Sequence, residues 1–315
     1  MIPTHKLKRR LRLWVKELLR PFNFAVPATP YGARFMVPII RGVGGSHRQG
    51  VEPWMVDTLR RLFHSSGRAG LIDIGVNIGQ TLLKLKSVDQ NARYIGFEPN
   101  PFCVQYANEI IRLNRLSQCV VIPVALADKP GLVDFVADSE ADAAASTLPD
   151  LRPGKQSVRR QYVPTLAFDE IGSLETDSIP VVKIDVEGAE LEVLRGMKRF
   201  LADSRPCVIC EVLHAHTDQQ IPLLRARNDD LMSLLVNAGY VVHRIIKNSP
   251  QTQVVELVPV PRFPDEVYTF RSSAVCDYLI IPAEKTAQVV AAFGKAAGVD
   301  PAAEGDDNWA RPKAA

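Results

Sequence analysis

The 315-residue chain has no apolar run near the roughly 20 residues that cross a bilayer, and no internal repeat. Its first apolar residues alternate with charge, so a secretory leader is not expected. It is short of cysteine: Cys103, Cys119, Cys207, Cys210 and Cys276 are odd in number and scattered through apolar stretches. That excludes a disulfide framework and points to reduced thiols, with the cytoplasm as the expected compartment. Cys207-x-x-Cys210 lies within the strand-like Pro206–Glu211 and has no second pair, so core packing outweighs a redox or zinc role. The net charge of +3 is too small to imply nucleic acid. At 46% hydrophobic and 23% charged residues, the chain suffices for one full α/β domain with appendages, or for two small domains.

Positive charge is concentrated at the start. Lys6, Lys8, Arg9, Arg10, Arg12, Lys16 and Arg20 stand against Glu17, between Leu7, Leu11, Trp14, Val15, Leu18 and Leu19 at helical spacing. Residues 1–20 therefore predict a basic amphipathic helix, docked on the domain or in peripheral contact with a membrane. Residues 21–50 are rich in Pro and Gly and are expected to be irregular. The expected division is 1–50 as N-terminal appendage, 51–283 as the domain, and 284–315 as an Ala-rich helix and tail.

The domain is organised around Leu71-Ile-Asp-Ile-Gly-Val-Asn-Ile-Gly-Gln-Thr81, which reads as buried strand, tight turn and helix start. Gly75 and Gly79 admit positive φ and close approach of a ligand, and Asn77 tolerates the same conformation. The spacing is neither the Gly-x-Gly-x-x-Gly fingerprint nor a P-loop. Further strands are expected at 93–98, 119–126, 131–136, 180–185, 207–213, 240–246 and 275–281, with an extra one at 254–258. Helices are expected at 54–63, 102–113, 188–200 and 230–238, and a long loop at 137–162. Alternating strands and helices predict a mostly parallel sheet with helices on both faces, and ligands outside its carboxyl edge.

Polar residues gather at those strand ends. Glu98 closes the second strand, where an acid accepts hydrogen bonds from ribose hydroxyls, and Asp128 follows the third near an expected adenine. The fourth strand carries Lys183-Ile-Asp185-Val-Glu187-Gly-Ala-Glu190, placing Lys183 and Asp185 on one side. Glu187 and Glu190 open the next helix, where capping alone would also favour acids. The fifth strand ends in Glu211-Val-Leu-His214-Ala-His216, which adds an imidazole able to accept a proton.

Seven stretches occur in order: Asp73–Thr81, Phe97–Pro101, Ala125–Asp128, Ser146–Leu148, Thr165–Asp169, Lys183–Glu190 and Glu211–His214. Together they resemble the FkbM family of S-adenosylmethionine-dependent methyltransferases over about residues 67–283, with Val76 where the family more often has Ala. The resemblance implies a class I methyltransferase (Rossmann-like) α/β fold, a mostly parallel seven-stranded sheet with its seventh strand antiparallel. It implies O-methylation, often of a sugar hydroxyl in a polysaccharide, glycolipid or secondary metabolite. S-adenosyl-L-methionine is then expected at Asp73, Gly75, Asn77, Gly79, Thr81, Glu98 and Asp128, with Asp73 orienting its ammonium. Asp185 and His214 are the expected bases, supported by Lys183 and Glu187. No metal is assigned, because capping and the Lys183 pair account for much of the acidic edge. The acceptor is expected to be a glycan or small molecule, set by residues 137–162, 215–230 and the N-terminal segment. The rival readings are methylation of a nitrogen or carboxyl, and a catalytically silent module of the same fold.

Overall fold

A computed structural model describes residues 21–137, 159–172, 174–176, 179–265, 267–269 and 275–294. The N-terminal helix expected at 1–20, the Ser146–Leu148 stretch and the tail beyond Gly294 lie outside them. In chain order the elements are β1 (Phe24–Ala28), β2 (Phe35–Ile39), α1 (Pro53–Ser66), β3 (Gly70–Ile74), α2 (Gln80–Val88), β4 (Arg93–Phe97) and α3 (Pro101–Leu113). Then follow β5 (Cys119–Ile122), β6 (Ala125–Leu126), β7 (Gly131–Ala137), β8 (Arg159–Leu166), β9 (Val181–Ile184), α4 (Glu190–Arg195), α5 (Lys198–Ser204) and β10 (Cys207–Glu211). The last are α6 (Ile221–Asn237), β11 (Tyr240–Lys247), β12 (Val254–Pro259), β13 (Asp277–Pro282) and α7 (Thr286–Ala292).

The main sheet has eight strands in the order β12-β11-β13-β10-β9-β3-β4-β5. Strands β5, β4, β3, β9 and β10 run parallel, and β13 lies antiparallel between β10 and β11. This is the class I methyltransferase arrangement with its reversed seventh strand. The extra strand at 254–258 is β12, antiparallel on the edge of β11. The chain winds outward from β3 to β5, then returns to the other side of β3 as β9, which makes the β3/β9 boundary the switch point.

Leu71, Val181, Ile209 and Leu279 point to one face and pack under Trp54, Met55 and Leu59 of α1. Ile72, Val182, Val208 and Ile280 point to the other, against Leu191, Leu194 and Leu235. Period-two alternation thus divides the core between two layers. It also separates Cys207 from Cys210: both are buried free thiols, one on each face.

Several elements differ from expectation. Residues 21–50 are not wholly irregular. They hold the antiparallel β1–β2 hairpin, whose Phe35 and Val37 join the core. Asn114 clamps this hairpin at Met36, accepting from its N–H at 2.7 Å and donating to its carbonyl at 2.8 Å. The strand expected at 119–126 is divided at Pro123: β5 stays in the main sheet, and β6 joins a second sheet ordered β6-β8-β7. Residues 159–162, expected in the long loop, belong to β8 and pair with β7. The helix expected at 188–200 is two helices, α4 and α5, and α6 begins at Ile221 rather than near Asp230. Among the described residues no helix is long and apolar enough to cross a membrane.

Candidate active site at the carboxyl edge of the sheet

Strand β3 ends and the chain turns at once. Gly75 adopts φ +86°, and a Cβ there would stand 1.9 Å from the Asp185 carbonyl oxygen. The glycine is demanded by the crossing of two chain segments at the switch point. Gly75 and Val76 donate to the Phe97 carbonyl at 3.0 and 3.3 Å, so β4 anchors the turn. Asn77 takes a left-handed φ of 49° and its side chain accepts from the Ile78 N–H at 2.6 Å. Gly79 (φ +80°) serves packing: a Cβ there would press on Ile110 of α3 at 3.2 Å.

Glu98 is the centre of the next layer. Its buried carboxylate accepts from the Asn77 N–H at 2.7 Å and from the Asn100 N–H at 2.8 Å. Burial raises its pKa to about 7 against the lowering effect of these two amides. Each oxygen keeps a lone pair, so the group can still receive hydroxyls.

An open cavity of about 630 Å³ lies along this edge. Its lining includes Gly75, Asn77, Glu98, Asp185 and Glu187, with Val124, Ala125, Leu126 and Phe135 as an apolar wall. Five expected residues therefore meet on one cavity. No residue of this wall is an expected site residue, although Ala125 and Leu126 belong to one of the motif stretches; β6 brings them close because Pro123 breaks the third strand.

The other expected residues are placed differently. Asp73 is wholly buried beneath the cavity and does not line it; Tyr94 donates to its Oδ2 at 2.6 Å, and Lys183 Nζ lies 3.4 Å from Oδ1. Burial lifts its pKa above the usual carboxylate range despite Lys183 and Tyr94. Asp73 stands beneath the turn that carries Gly75 and Asn77. Thr81 is buried on α2, and Asp128 is exposed on the turn after β6; neither lines the cavity. Lys183 is buried, donates to the Gly75 carbonyl at 2.8 Å, and lies 3.2 Å from Asp185 Oδ2. Burial works to lower its pKa, but Asp185 and Asp73 outweigh that and hold it above the usual lysine value.

His214 lines a neighbouring hollow of about 470 Å³, with Glu190, Arg227 and Asn228. The turn after β9 divides the two spaces: Glu187 and Ala189 face the first cavity, Gly188 and Glu190 the second. Glu187 holds a left-handed φ of 59° and Gly188 one of 111°, which is how the turn alternates so sharply. Glu190 accepts from the Gly188 N–H at 3.0 Å, and burial raises its pKa to about 7. Among the described residues no group of three His, Cys, Asp or Glu is arranged to hold a metal ion.

The Methyltransferase FkbM domain matches residues 73–242, which spans the turn after β3, Glu98, the Lys183–Glu190 stretch and His214. The chain belongs to the FkbM methyltransferase family. It is 28% identical over 150 residues to the 2-O-methyltransferase NoeI of Sinorhizobium fredii, covering 43% of this chain and 60% of that protein. It is 28% identical over 224 residues to the hexuronic acid methyltransferase AglP of Haloferax volcanii, covering 66% of this chain and 82% of that protein. A solved FkbM methyltransferase from Methylobacillus flagellatus aligns over 68% of this chain and 43% of its own, at 18% identity and a TM-score of 0.41. The β1–β2 hairpin and β12 lie outside the matched range, and both contribute residues to the core.

Proposed function

We propose that the chain is an S-adenosyl-L-methionine-dependent O-methyltransferase acting on a hydroxyl of a sugar, in a polysaccharide, glycolipid or secondary metabolite. The observation that carries this reading is Glu98, a buried carboxylate pinned by two backbone amides with its free lone pairs on a cavity walled by Val124, Leu126 and Phe135. That pairing of an apolar wall with a ribose-accepting acid suits an adenosine. Gly75 and Asn77 would flank the amino-acid end, and Asp185 and Glu187 would face the reacting end. The bound group supplies an activated methyl on a sulfonium. The chain's share is to orient the acceptor oxygen in line and to receive its proton.

Both relatives described above act, by name, as methyltransferases, one at a 2-O position and one on a hexuronic acid, which supports a sugar acceptor. The absence of disulfides among five cysteines, four of them buried, supports a reducing compartment such as the cytoplasm. Calorimetric titration with S-adenosylhomocysteine tests the cofactor site. Wild type is expected to bind in the micromolar range, and Glu98→Ala to weaken binding by about tenfold or more, since hydrogen bonds to a charged acceptor are lost. A folded wild type that does not bind would overturn the reading.

A further inference from the structure

Strand register sets five positions level along the carboxyl edge. Phe97 pairs with Ile74, Ile74 with Ile184 and Ile184 with Cys210, so the next residues, Glu98, Gly75, Asp185 and Glu211, follow one another across four strands. Glu211 in turn pairs directly with Asp277 of β13. At ~4.8 Å per strand, Glu98 and Glu211 stand about 14 Å apart. The apolar wall lies on the β5 side of Glu98. An adenosine held by Glu98 against that wall would leave the β9 side of the cavity, with Asp185 and Glu187, for its reacting end.

The charges along this edge are not evenly matched. Lys183 serves Asp73 and Asp185, at 3.4 and 3.2 Å. Lys247 pairs with Asp277 and lies over the Trp54 ring, and Lys84 holds Glu52 at 2.6 Å. Half-buried Glu211 lies among Asp185, Asp277, Glu52 and Glu190 and makes no side-chain ion pair or hydrogen bond among the described residues. Among the described residues Glu211 thus has no cation of its own.

We propose that Glu211 is a further catalytic residue, whose carboxylate balances the sulfonium charge at the reacting end of the cofactor and then takes the proton of the acceptor hydroxyl. The proposal rests on the methyltransferase reading above. Asp185 is already engaged by Lys183 at 3.2 Å, and His214 faces the hollow on the far side of the turn after β9. Burial, then Asp185, Asp277, Glu52 and Glu190, raise the Glu211 pKa to about 9, so an arriving cation drives its proton off. During transfer the acceptor oxygen forms the new C–O bond, the S–C bond breaks with its electron pair left on sulfur, and Glu211 gains the hydroxyl proton. A carboxylate facing a sulfonium becomes a carboxylic acid facing a neutral thioether, with no net charge created in a site of low dielectric.

Calorimetry with S-adenosylmethionine and S-adenosylhomocysteine at pH 8, in buffers of different ionisation enthalpy, tests this without an acceptor. Wild type is expected to prefer S-adenosylmethionine about tenfold and to release more protons on binding it. Glu211→Gln should bind S-adenosylhomocysteine within about twofold of wild type, and lose both the preference and the extra proton release. Glu211→Asp, a conservative check should Gln misfold, should keep part of each. Equal proton release by wild type for the two ligands, or an unchanged preference in Glu211→Gln, would overturn the proposal. Failure of wild type to bind either ligand would instead remove the methyltransferase reading and this inference with it.

Discussion

The two halves of the carboxyl edge keep buried charge by different means. On the β3–β4 side, Glu98 is satisfied by backbone amides of Asn77 and Asn100. On the β9–β10–β13 side, Asp185 and Asp277 are satisfied by the lysines Lys183 and Lys247, drawn from β9 and β11. Amides are fixed in place by the turn and cannot lose their donor with pH. A lysine–carboxylate chain is built from side chains and responds to every neighbour that gains or loses charge. The first half suits a constant binding pocket, and the second suits a place where charge changes during reaction.

The largest effect that would sharpen this contrast comes from Lys183→Met. Removing the ammonium leaves Asp73 and Asp185 without their cation, at a cost of about 3–5 kcal/mol near neutral pH. Asp73 already has a raised pKa in the fold, so its protonated form is the one folding favours. The penalty should therefore shrink as pH falls from 7 toward 4, measured by denaturant unfolding at each pH. A pH-independent penalty would mean that Lys183 acts through packing alone.

Gly75→Ala probes the backbone-held half. Positive φ and a Cβ aimed at the Asp185 carbonyl predict a loss of about 2–4 kcal/mol, with no pH dependence. Unfolding at pH 5 and pH 8 checks both points. A stable variant would show that the turn and β9 separate more easily than the structure implies.

The smallest effect concerns Glu190, on the turn between the two spaces. Its folded pKa of about 7 lies above the usual glutamate value, so its stabilising share is full at low pH and is lost as pH rises through 7. Glu190→Gln should flatten the decline in melting temperature between pH 5 and pH 8 by a few degrees, about 2–4 °C for each kcal/mol recovered. An unchanged slope would assign the decline to Glu98, whose pKa also lies near 7.

Much of the molecule was legible in the chain. The runs at 71–74, 93–97, 181–184 and 207–211 are mostly apolar, as strands buried on both faces must be, and the last three close on an acid at the carboxyl edge, Glu98, Asp185 and Glu211. Glu98, Gly75, Asn77, Asp185 and Glu187 could be placed on one cavity because strand ends converge whatever the connecting loops do. Asp73 and Lys183 were right in position along their strands and different in depth: the alternation of a strand says which side a residue takes, not how much chain will cover it. His214 lies past the end of β10, where strand alternation no longer applies, and lines the second hollow.

The amino-acid sequence by itself determined the order of strands and helices, the demand for glycine at position 75, and the acids that close β4, β9 and β10, because these depend on local periodicity and backbone sterics. Only the tertiary structure decided which acid has which neutraliser. Lys247 reaches Asp277 from thirty positions away, and Lys183 reaches the Gly75 carbonyl from 108 away. Likewise only folding carried Val124–Leu126 and Phe135 to the cavity wall and left Glu211 beside carboxylates whose cations were already engaged. Charge pairing and apolar lining follow distance in space, and sequence spacing does not encode that distance.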